Sequence, residues 1–150
     1  IIAVNKWDAV EKDDKTIYKM SRDIMQTLSF MPYAEILFIS AKTGQRTDKL
    51  FESIDTVIAN QNLRIQTGVL NEIISEAVTM QQPPSDKGRR LRVLYATQVS
   101  VKPPTIVIFV NNAKLMHYSY TRYLENRIRD AFGFQGTPIN FVIRERKSEE

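Results

Sequence analysis

An apolar run, Ile1-Ile2-Ala3-Val4, leads directly into Asn5-Lys6-Trp7-Asp8, and this junction constrains the chain more than any other stretch. A strand ending in an amide, a cation and a carboxylate sets those groups on a loop at its carboxyl end. A carboxylate held there can accept two hydrogen bonds from a planar ring. Guanine offers such a donor pair at N1 and N2, and adenine does not. Asp8 is the expected discriminator, because a polar group left unpaired by the wrong base costs more than a missing apolar contact. Asn5 can donate to the ring N7, the stem of Lys6 can lie along the flat face of the base, and Trp7 fills the free position of the motif.

The motif is paired with a second one. Residues 35–39 read as a short strand that ends in Ser40-Ala41-Lys42-Thr43-Gly44. There the backbone N–H of Ala41 can reach the guanine O6, Ser40 can orient the Asp8 carboxylate, and Lys42 can cover the base. Asp13 or Asp14 is placed to cap a helix over 15–29, with Ile17, Met20, Ile24 and Leu28 at helical spacing. Thr47 opens another through about Asn60, whose Leu50, Phe51, Ile54, Val57 and Ile58 make one apolar face. Strand, helix, strand, helix is the order of an α/β nucleotide-binding sheet.

Beyond a polar connector at 60–66 the pattern changes. A helix is expected over 67–80, with Leu70, Ile73, Ile74, Ala77 and Val78 inward. The proline-bearing stretch 82–88 reads as a loop, 89–101 as one long strand, 102–104 as a turn and 105–110 as a buried strand. A helix follows over 119–132, then a strand over 139–144, with a charged tail from Glu145. The sum is α-β-β-α-β, a three-stranded sheet with helices on one face. Gly133-Phe134-Gln135-Gly136 lies between helix and strand, where a helix cap and tight turn are expected.

Charge separates the two parts. Residues 1–60 carry eight basic and nine acidic side chains, and residues 61–150 thirteen and eight. The basic surplus gathers at Lys87, Arg89, Arg90 and Arg92, with Arg122, Arg127 and Arg129 along the last helix. Arginines in such numbers suit RNA phosphates or the carboxylates of a neighbouring domain, and the sequence does not choose between them. His117 has no second metal ligand or nucleophile near it in sequence, so packing or capping is expected of it. Cysteine is absent, which excludes disulfides and thiolate metal sites. No apolar run approaches the roughly 20 residues that span a bilayer.

At N-K-x-D and S-A-K the chain resembles the P-loop GTPases. It lacks their G-x-x-x-x-G-K-[ST] and D-x-x-G motifs, so it is expected to be the back part of such a domain, inactive alone and with no catalytic residue of its own. With residues 82–90 (QPPSDKGRR), 96–104 (ATQVSVKPP) and 123–138 (YLENRIRDAFGFQGTP), it resembles the C-terminal region of the EngA (Der) family of tandem-domain bacterial GTPases. The resemblance implies the C-terminal part of a GTPase fold over 1–62 and an α+β KH-like domain over 67–146. It further implies guanine binding by Asn5, Lys6, Asp8, Ser40, Ala41 and Lys42, with GTP or GDP, and Mg²⁺ in the intact protein. Lys87, Arg89, Arg90, Arg92, Arg122 and Arg129 become candidates for RNA or interdomain contact. Implied partners are the large ribosomal subunit with its rRNA and the protein's own GTPase domains, in a cytoplasmic monomer without membrane attachment.

Overall fold

The computed structural model describes residues 1–146, so the end of the charged tail lies outside the described residues. It divides into two units. The first comprises Ile1–Asn60 together with Gln135–Pro138, and the second comprises Gln61–Phe134 with the chain from Ile139 onward.

In the first unit β1 (Ile2–Val4) and β2 (Ile36–Phe38) pair in parallel, with Ile2 opposite Ile36 and Val4 opposite Phe38. Parallel neighbours need a crossover, and α1 (Thr16–Thr27) supplies it. Asp13 sets its start. Its Oδ1 accepts from the Lys15 N–H at 2.8 Å and from the Thr16 hydroxyl at 3.1 Å. These bonds to the charged form hold the carboxyl below its ordinary 3.8. Ile17, Met20, Ile24 and Leu28 are all half-buried, as their spacing requires. α2 (Thr47–Gln61) departs from expectation. Ser53 is its buried residue, with Leu50 and Val57 half-buried, while Phe51 is 66% exposed and Ile54 and Ile58 also face outward. The apolar stripe is therefore turned partly away from the sheet, and a polar residue faces inward because Ser53 donates to the Glu35 carboxylate.

The second unit is built on a three-stranded sheet, β5 (Val93–Ser100), β6 (Thr105–Val110) and β7 (Asn140–Glu145), with β6 central, antiparallel to β5 and parallel to β7. α3 (Thr67–Met80) and α4 (Tyr118–Phe132) pack on one face. Period-two alternation places Ile106, Ile108 and Val110 of β6 against Leu70, Ile74 and Ala77 of α3 and Leu124 and Ile128 of α4. The hydroxyls of Tyr120 and Tyr123 donate to the carbonyls of Gln81 and Ala77, satisfying the end of α3. Burial, and then the neighbouring Tyr123, push the Tyr120 phenol up to about 12.

Two sequence boundaries need correction. Residues 85–90 form a hairpin rather than loop and strand entry: β3 (Ser85–Asp86) pairs with β4 (Arg89–Arg90). Lys87 and Gly88 both have positive φ, 49° and 76°, which is the two-residue turn that matches strand twist. Glu145 belongs to β7, and its carboxylate accepts from the Ala113 N–H at 3.2 Å. At the other end of α4, Gly133 has φ 93° and donates to the Arg129 carbonyl, closing the helix as a glycine cap.

Three side-chain amides each stand in for a missing strand. Asn71 accepts from the Ala96 N–H and donates to the Ala96 carbonyl, both at 2.8 Å, on the outer edge of β5. Gln98 accepts from the Ile65 N–H and donates to the Leu63 carbonyl, again at 2.8 Å, which ties the connector to the sheet. Asn111 accepts from the Arg92 N–H and donates to the Arg90 carbonyl, which anchors the hairpin.

Candidate functional site

Both base-directed motifs sit where strands end. After β1 the chain enters the left-handed region at Lys6 (φ 62°) and winds a single 3-10 turn over Trp7–Ala9 that carries Asp8. After β2 it passes through Ser40 into a loop closed by Ser40 accepting from Gly44 N and donating to Gln45 O. Parallel pairing of β1 with β2 puts these loops side by side. Two side-chain bonds then join them. The Ser40 hydroxyl donates to Asp8 Oδ1 at 2.6 Å, and Asn5 Oδ1 accepts from the Ala41 N–H at 3.0 Å.

The consequences for each group differ. Ser40 is fully buried, so its hydroxyl orients the exposed Asp8 carboxylate from behind. One Asp8 oxygen thus keeps a lone pair and the other keeps both, enough for two donors on one ring edge. Asn5 Oδ1 also accepts from the Lys6 N–H at 2.7 Å, so its carbonyl oxygen is fully used in shaping the loops and its amide donor remains. The Ala41 N–H, expected from sequence to reach the guanine O6, donates to Asn5 Oδ1 in this structure. Lys6 and Lys42 are exposed on the two loops.

Trp7 is more than a free position. It is 2% exposed, its ring lies 4.7 Å from that of Phe38, and its backbone N–H donates to the Ile39 carbonyl. Lys12, which the sequence did not single out, closes over it. Its ammonium lies 5.0 Å from the indole centroid and donates to the Trp7 carbonyl at 2.7 Å. Trp7 and Lys12 therefore fix the turn that bears Asp8. A tryptophan in an otherwise polar loop was the available signal.

Among the described residues no group of three or more His, Cys, Asp or Glu side chains is placed to hold a metal ion. Among the described residues no helix is long and apolar enough to cross a membrane.

The basic residues divide in two. Lys87, Arg89, Arg90 and Arg92 are all exposed on the hairpin and its exit, and none forms an ion pair with a described residue. The α4 arginines are engaged locally. Arg122 lies 5.9 Å over the Tyr118 ring. Arg129 bonds Glu125 at 3.1 Å and the Phe134 carbonyl at 2.9 Å, with its side chain only 17% exposed, so it has little to offer a partner. Arg127 reaches Met80. His117 caps α4 through its backbone carbonyl, which accepts from Tyr120 and Thr121.

Residues 64–144 match the model of the KH-domain-like region of EngA bacterial GTPase enzymes, C-terminal. The chain belongs to that family. It is 71% identical over all 150 residues to the GTPase Der of Lachnoclostridium phytofermentans, and 68% identical over 150 residues to that of Agathobacter rectalis. The Desulfitobacterium hafniense GTPase Der is 54% identical over 149 residues. The chain covers 34% of the length of each of these relatives. The family match falls on the second unit and its α-β-β-α-β order, whereas both base-directed loops lie before it.

Proposed function

We propose that this chain supplies the guanine-recognising part and the KH-like part of a GTP-hydrolysing protein that acts in assembly of the large ribosomal subunit. The observation that carries the nucleotide reading is the joining of two loops around one carboxylate, through Ser40 to Asp8 and Asn5 to Ala41. In this reading Asp8 accepts from guanine N1 and N2, Asn5 donates to N7, O6 shares the Ala41 N–H with Asn5, and Lys6 and Lys42 lie along the two faces of the base. Residues outside this chain handle the phosphates and Mg²⁺.

Calorimetric titration of GDP and ADP into a chain extended upstream through the phosphate-binding motifs tests this. Guanine-selective binding is expected, and Asp8→Ala should remove two charge-assisted bonds worth about 1.5–3 kcal/mol each. That is a loss of at least a hundredfold in GDP affinity. Equal affinity for GDP and ADP, or an unaffected Asp8→Ala variant, would refute the assignment. For the second unit, the exposed hairpin cations, which form no ion pair with a described residue, suit contact with rRNA phosphates. Charge reversal at Arg89 and Arg90 should then weaken RNA binding and flatten its salt dependence.

A further inference from the structure

The face of the β5–β6–β7 sheet opposite the helices carries the odd-numbered residues of β6 and, from Tyr95 onward, of β5. In register across the three strands lie Tyr95, Phe109 and Arg144, and next to them Thr97, Val107 and Val142. Tyr95 is 39% exposed and Val142 38%, Phe109 is half-buried, and Arg144 is exposed. The two rings stand 5.9 Å apart and tilted by 33°, and no carboxylate occupies either row. Glu145, the nearest acid in sequence, points to the other face and is held by the Ala113 N–H.

A groove leads from the basic hairpin to Tyr95, one ring of this pair. A cavity of about 430 Å³ between α3 and the strand entry is lined by Arg90, Arg92 and Leu94. A second, of about 280 Å³, continues along α3 and β5 to Tyr95, and Leu94 and Val78 line both. Cations at one end and stacked rings at the other match a polymer of alternating phosphates and flat bases. Three strands about 4.8 Å apart give a platform of a few hundred Å² at most, short of the roughly 800 Å² that each side of a stable protein pair buries. Base stacking needs no more than this, because every base has a π-face.

We propose that single-stranded nucleic acid runs from Arg90 and Arg92 along the α3–β5 groove and stacks its bases on Tyr95 and Phe109. Arg144 adds a planar cation beside the rings. The proposal deepens the RNA reading of the hairpin and rests on it.

Fluorescence anisotropy of a labelled oligouridylate, titrated with the 150-residue chain and its variants, tests the path. Tyr95→Ala should weaken binding by about five- to 150-fold with an unchanged salt slope, because it removes stacking and no charge. Tyr95→Phe keeps the ring and should bind like the parent. Arg90→Glu should weaken binding and flatten the salt slope. A Tyr95→Ala chain that binds like the parent while Arg90→Glu does not would overturn the stacking platform and leave the hairpin reading intact. Failure of the parent chain to bind would overturn both, and equal competition by a duplex of the same sequence would overturn the stacking platform alone. Unchanged RNA affinity with altered sedimentation of Tyr95→Ala would mark the face as a protein interface and also overturn the proposal.

Discussion

Asn71→Ala tests whether a side-chain amide really replaces a strand. The substitution removes three hydrogen bonds: two at 2.8 Å to the backbone of Ala96 and one at 2.7 Å to the Thr67 carbonyl. Ala96 is fully buried, so its N–H and C=O lose their partners in a place where each unsatisfied group costs about 1–3 kcal/mol. Alanine's better helix propensity offsets roughly 0.5 kcal/mol. The expected net loss is about 2–4 kcal/mol, confined to the second unit. Hydrogen exchange under native conditions reads it directly, because the Ala96 amide should exchange faster by a factor that reflects this loss. Urea unfolding followed by Trp7 fluorescence, which senses the first unit, should not move. Asn71→Asp sharpens the test. It keeps an acceptor for the Ala96 N–H but sets a carboxylate oxygen against the Ala96 and Thr67 carbonyls, so it should be no more stable than the alanine variant. A loss below about 0.5 kcal/mol for Asn71→Ala, or an Ala96 amide as protected as before, would show that the amide bridge is not what completes the edge.

Three further outcomes are expected. Trp7→Ala should cost the first unit about 3–5 kcal/mol, measured by chemical denaturation with a circular-dichroism probe, since it leaves a void beside Phe38 and removes the ring under Lys12. Tyr120 should resist ionisation until about pH 12. Because its folded pKa lies above the ordinary phenol value of 10.0, its contribution to stability is complete below pH 10 and is lost as pH rises toward 12, which ultraviolet titration of wild type against Tyr120→Phe checks. Gly136→Ala should destabilise the first unit, by about 1–3 kcal/mol. At φ +77° an added Cβ would stand 2.3 Å from a Val57 methyl, so Val57→Ala should relieve the clash and leave the backbone strain, as a double-mutant comparison of melting temperatures would show.

What the sequence revealed was what local spacing determines. The amphipathic stripe of α1, the unbroken apolar run of β6 and the glycine cap at Gly133 all follow from neighbours a few residues apart. The two base-directed loops were legible because each follows an apolar run, and the fold joins them at Ser40 and Asp8. What stayed hidden depends on distant partners. Nothing near Asn71, Gln98 or Asn111 announces the backbone groups that they satisfy from about twenty to thirty-five positions away in the chain. The role of Lys12 depends on the burial of Trp7 against β2. The hairpin at 85–90 was concealed by the adjacent prolines, although Lys87-Gly88 between short polar pairs is a permissible two-residue turn. In α2 the apolar count suggested a face, but the inward serine is explained only by Glu35 beside it.

The first unit is discontinuous along the chain: Asn60 donates its amide to the Gln135 carbonyl, and Gly136 donates to the Tyr33 carbonyl, although the intervening residues build something else. During translation, then, this unit is begun before the second and finished only after most of the second has been made. Its strands and helices emerge early, yet the four residues that complete it arrive only after α4 has been made. A gene truncated after α2 would encode every base-directed residue and still lack a piece of the body that holds them.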